Sequence, residues 1–159
     1  MRAAYMAASS CARTTDPSTE LTTMSEAPAG TAPVDGIVNT RSPLPLAETV
    51  ERLSQLIGAA GATLFGVIDQ RREAEQAGLD LRPTTLLIFG SPAAGTKVMA
   101  AAPLAALDLP LKIVVWQDDA GAVWMTHLDP AWLVARYGLA RELAAPLGAP
   151  AALTARVGD

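Results

Sequence analysis

Cysteine, histidine and lysine are nearly missing from this chain. It holds one of the first, Cys11, one of the second, His127, and two of the third, Lys97 and Lys112. A lone cysteine closes no internal disulfide, and one cysteine with one histidine falls short of the clusters that structural zinc requires, so no metal site is expected. A thiol chain without disulfides fits a reducing compartment, and the cytoplasm is the expected location. The few cations are mostly arginines spread singly, the net charge is −4 and the isoelectric point about 4.9. No field of that sign draws in a phosphate backbone or an anionic membrane surface, so neither nucleic acid nor membrane is an expected partner. No apolar run reaches the ~18 residues that a spanning helix needs. Arg2 precedes a stretch of small residues, but Ser9 and Ser10 interrupt it and no leucine-rich core follows, so it does not read as a secretion signal.

The first 33 residues are Ala, Ser, Thr and Pro with isolated charges, and Leu21 is almost their only large apolar side chain. Such a composition cannot bury enough surface to offset the entropy of ordering. Residues 1–33 therefore read as a disordered leader or a mis-annotated start, with Met24 as the alternative to Met1, and residues 34–159 as one domain.

Within that domain, residues 36–41 read as a strand stopped by Pro43 and Pro45. Leu46, Val50, Leu53 and Ile57 share one face of a helix that Gly61 can close. A strand over residues 63–68 leads to Asp69, which can cap a short charged helix ending at Gly78. Residues 84–89 are apolar or β-branched without alternation, which predicts a strand buried on both faces at the sheet centre. Ser91 and Pro92 start an alanine-rich helix to Ala102. Residues 111–116 and 122–127 form a hairpin around Asp118-Asp119-Ala120-Gly121. Asp129-Pro130 starts a helix that Gly138 stops, a second helical stretch covers residues 139–145, and a last turn is expected within residues 150–157.

Several strings recur here in one order: Gly78-Leu79-Asp80-Leu81-Arg82-Pro83-Thr84, Leu87-Ile88-Phe89-Gly90-Ser91-Pro92-Ala93-Ala94-Gly95-Thr96, Asp108-Leu109-Pro110-Leu111-Lys112, Trp116, and Asp118-Asp119-Ala120-Gly121. Together they resemble the bacterial and archaeal domain of unknown function 302 family, over about residues 36–141. The resemblance implies an α+β fold with a small curved, mainly antiparallel sheet and helices packed on one face, a single unit like that of the TATA-box-binding protein, and often a homodimer. It is a likeness of fold and carries no DNA-binding implication. The family often has histidine where this chain has Gln70 and Tyr137, and an aromatic residue is more usual where this chain has His127.

No cofactor fingerprint is present, and the residues around Lys97 lack P-loop spacing. The helix start offers free backbone N–H groups to an anion, with Ser91, Gly95, Thr96 and Lys97 around it and Arg82 as a planar clamp nearby. The structural alternative is that Ser91 caps its own helix and Arg82 pairs with Asp80 or Asp108. The function expected is a homodimeric binding or interaction module for a small anionic or polar ligand. Two alternatives stand beside it: an enzyme using Asp69, Asp108 or His127 as proton carriers, and a purely structural dimerisation domain packed through Trp116, Trp124 and Trp132.

Overall fold

The computed structural model describes residue 30 and residues 32–159. Cys11, Met24 and nearly all of the expected leader lie outside the described residues. The order is β1 (Ile37–Arg41), α1 (Leu46–Ala59), β2 (Thr63–Asp69), α2 (Gln70–Gln76), β3 (Thr84–Gly90), α3 (Pro92–Ala101), β4 (Leu111–Gln117), β5 (Val123–Leu128), α4 (Pro130–Tyr137) and α5 (Ala149–Thr154). Short 3₁₀ turns occupy Pro103–Leu107, Arg141–Leu143 and Ala145–Gly148. The five strands make one antiparallel, open sheet in the order β1-β5-β4-β3-β2, an α+β fold as expected.

Local chemistry accounts for most boundaries. The Asp69 carboxylate accepts from the Arg72 amide at 3.0 Å to start α2, and Asp129 accepts from Ala131 at 2.7 Å to start α4. Gly138 ends α4 at φ +59°, a left-handed conformation in which a side chain would be strained. Gly36 is needed on two counts. Its φ is +75°, and a Cβ there would lie 2.5 Å from the Trp132 indole.

One sheet face presents Leu87 and Phe89 of β3, Ile113 and Val115 of β4 and Met125 of β5, all buried. Against them pack Leu53, Leu56 and Ile57 of α1, Val98 of α3, Leu133 of α4 and Leu153 of α5. Each such side chain withdrawn from water contributes roughly 1.5–3 kcal/mol before entropy is charged against it. Helix α2 buries none of its residues.

The sheet centre is β4, not β3. Strand β1 adds to the outside of β5 (Val38 opposite His127, Thr40 opposite Met125), which shifts the middle one place along. Nor is β3 buried on both faces: Thr85, Leu87 and Phe89 are buried, whereas Leu86 and Ile88 are half-buried. Its apolar run reflects an outer sheet face that is itself apolar. The second helical stretch resolves into 3₁₀ turns because Pro146 lacks an N–H and restricts Ala145. Pro150 stands in the first turn of α5, where a missing N–H costs nothing.

Candidate functional site

A hollow of about 580 Å³ opens where the end of β3 and the start of β4 meet α3 and α5. Its floor is Phe89 and Leu111, its sides Val98, Met99 and Leu153. Phe65 reaches it through a β-bulge: the β2–β3 register steps from Leu64 opposite Phe89 to Gly66 opposite Ile88, leaving Phe65 as the extra residue. Polar groups are few: Ser91 and Thr96 line it from α3, and Arg156 lines it from the chain end. Among the described residues Arg156 has no carboxylate within ion-pair distance. The Ser91 hydroxyl lies 3.5 Å from the Ala94 amide, too long for a strong cap bond, so the first-turn amides of α3 are weakly satisfied.

Of the five residues expected at a ligand site, the structure gathers Ser91, Gly95 and Thr96 on this hollow. Lys97 is exposed, and it is not among the lining residues. Arg82 is elsewhere. It pairs with Asp119 at 3.5 Å and lies 5.9 Å from the centre of the Trp116 ring. Asp119, rather than Asp80 or Asp108, is its partner because Thr84 stands opposite Trp116 and the Gln117 amide bonds the Pro83 carbonyl, which brings the entrance of β3 beside the hairpin loop. Arg156, Phe65 and Leu153 were not picked out from sequence. A glycine inside the β2 pattern, Gly66, was the available signal for the bulge.

The three residues named as proton carriers divide. Asp69 caps α2 on the β2 edge. Asp108 and His127 line one smaller cleft of about 200 Å³. The Asp108 carboxylate is held by the Tyr137 hydroxyl at 2.6 Å and by Arg136 at 3.5 Å, and its carbonyl accepts from the Lys112 ammonium at 3.2 Å.

Trp116 and Trp124 face each other across β4 and β5 as the cross-strand pair expected, ring centres 6.3 Å apart. Asp118 serves the hairpin: one oxygen accepts from the amides of Ala120 and Ala122, the other from the Trp124 indole at 2.8 Å. Chiefly that indole bond holds its pKa below the ordinary 3.8, helped by the two amides and opposed by burial.

The family model described as Domain of unknown function DUF302 matches residues 38–151. The chain belongs to the DUF302 family. A crystal structure of an uncharacterized conserved DUF302 protein from Bacillus stearothermophilus superposes with a TM-score of 0.69 at 23% identity, over 78% of this chain and 99% of that one, a likeness of fold. Over 104 residues, 65% of its length, the chain is 41% identical to proteins named Fluoride-specific ion channel FluC 1 in Brucella suis and in Brucella abortus. It spans only 41% and 38% of those proteins. No helix among the described residues of this DUF302 chain is long and apolar enough to cross a membrane.

Proposed function

We propose that the protein is a binding module for a small amphipathic molecule, its apolar body in the large hollow and its anionic or polar head against Arg156, Ser91 and Thr96. The observation that carries this reading is the combination of a wide apolar hollow with Arg156 on its wall, a cation that has no carboxylate at ion-pair distance among the described residues. Apolar walls supply the driving force and a few polar groups set orientation, the usual division in small-molecule sites. Arg82 and Lys97 stand outside the site so defined. The cytoplasm is the compartment this reading assumes, and a homodimer is its proposed assembly, formed through the half-buried outer face around Trp124. Trp124→Ala should then shift the sedimenting species toward monomer.

A thermal-shift series with medium-chain carboxylates and the matching alcohols tests the ligand. Stabilisation of about 2.7 kcal/mol is expected at a hundredfold excess over Kd. Arg156→Ala should weaken the carboxylates and leave the alcohols unchanged, and Leu153→Trp, which fills the hollow, should abolish both. No shift with any chain length, or an undiminished shift in Leu153→Trp, defeats the reading.

The likeness to the fluoride-specific channels supports a second reading, in which this domain acts as an accessory unit for fluoride. It rests on 41% identity over 104 residues within proteins more than half of whose length lies outside the match. Fluoride-19 NMR of sodium fluoride with the protein should show a broadened, saturable line. A line unchanged at millimolar protein removes this second reading.

A further inference from the structure

Strands β4 and β5 do not pair along their full length. Their ladder runs from Gln117 opposite Val123 to Val114 opposite Thr126 and stops. Continued in register, Ile113 would face His127 and Lys112 would face Leu128, yet neither pair forms, while β5 keeps pairing with β1 through His127 and Leu128. The 200 Å³ cleft lies where the two strands part.

His127 lines that cleft, is 4% exposed, and places Nδ1 2.8 Å from the Leu128 carbonyl. A carbonyl only accepts, so Nδ1 donates, and Nε2 of the neutral ring is left as an acceptor. That Nε2 is buried without a hydrogen-bond partner, the one such side-chain atom among the described residues. Buried polar atoms are nearly always partnered, and an orphan calls for an explanation. No polar group on the wall lies within hydrogen-bond distance of it. The Thr126 hydroxyl already donates to Asn39 and accepts from the Trp116 indole. The Lys112 ammonium bonds the Asp108 carbonyl. Apart from the Asp108 carboxylate, which Tyr137 and Arg136 hold, the rest of the wall is apolar, with Ile37, Val114, Leu128 and Leu133.

We infer that this cleft is a second binding site, for a small neutral molecule carrying a hydroxyl, of the phenol or short alcohol class, with His127 Nε2 accepting its proton in a hydrogen bond. The Asp108 carboxylate on the same wall is already held by the Tyr137 hydroxyl and by Arg136, and the Lys112 ammonium by the Asp108 carbonyl, so the orphan acceptor is the group that sets the ligand's chemistry. One imidazole nitrogen and one carboxylate fall short of a metal's ligand set. The apolar walls suit a ring or short chain, and the orphan acceptor selects for the donor on it, since a site built around a hydrogen bond discriminates against the analogue that lacks it.

His127 is the chain's one histidine, so its ring nitrogens give a single set of signals in long-range proton–nitrogen NMR of the full chain. Phenol should move the Nε2 resonance saturably, and toluene, of similar shape without the hydroxyl, should bind at least tenfold more weakly. His127→Leu should bring the phenol-to-toluene affinity ratio, read by calorimetry, close to one. Val114→Trp, which fills the cleft from the other strand, should abolish the response of the ring. Arg156→Ala should leave it intact, so failure here is separable from failure of the large-hollow reading. A ring signal unmoved by phenol up to its solubility, toluene binding as tightly as phenol, or loss of the response in Arg156→Ala would each overturn the proposal.

Discussion

The two ends of the β4–β5 pair are made of the same two strands and are held in opposite ways. Along the paired stretch, from the hairpin to Thr126, the polar groups close on one another. Trp116 donates to Thr126 at 2.8 Å, Thr126 to Asn39 at 2.6 Å, Trp124 to Asp118 at 2.8 Å, and Asp118 takes two loop amides besides. At the other end the ladder stops, a cleft opens, and a buried imidazole nitrogen has no partner. A sheet can therefore be over-determined and under-satisfied within a few residues of one strand. Stability resides at the first end, and room for a ligand at the second.

The largest test of that division is Met125→Ala. Met125 is fully buried in the paired stretch, opposite Val115. Removing it should cost about 2–5 kcal/mol, the lost transfer energy plus an unfilled cavity, read from urea unfolding midpoints. A loss below ~1 kcal/mol would mean that the paired end collapses as readily as the open one and that the contrast is not one of packing.

Asp118 sharpens the comparison through pH. Its folded pKa is depressed, chiefly by the Trp124 indole bond. The group therefore contributes stability that is fully present above the ordinary carboxylate value of 3.8 and is lost as pH falls through the lower folded value. Wild type should lose unfolding free energy below about pH 4 more steeply than Asp118→Asn, which cannot titrate. Parallel curves for the two proteins from pH 6 to pH 2.5 would show that the hairpin does not depend on the ionised carboxylate.

The closed end was legible in the sequence and the open end was not, for a physical reason. Asp118, Gly121 and the two tryptophans act on neighbours within a few residues, and the helix starts at Asp69, Ser91 and Asp129 are equally local, so spacing and residue type announce them. The same locality marks Ser91, Gly95 and Thr96 in the sequence, though not the hollow they line. Arg156 joins them across some sixty residues by way of α5, which the prolines around it obscured. The place of β3 is not legible in its apolar run, which does not distinguish a central strand from one whose outer face is apolar and only half-covered. Asp108 and His127 carried no signal of meeting. The gap between them exists because a ladder ends early, and no residue in β4 or β5 marks where it does.

The smallest expected effect is the most telling. His127→Leu removes a large, almost fully buried side chain, a change that in an ordinary core position is costly. Here it also relieves a buried acceptor that has no partner, a gain that outweighs the one Nδ1 bond to the Leu128 carbonyl lost with the ring. The two contributions oppose each other, so the variant should fall within about 1 kcal/mol of wild type, beside a Met125→Ala loss several times larger two residues away on the same face. Urea midpoints of the two variants measured together decide it. If His127→Leu cost as much as Met125→Ala, the Nε2 atom would have a strong partner in the folded protein, and the open end would be as closed as the hairpin.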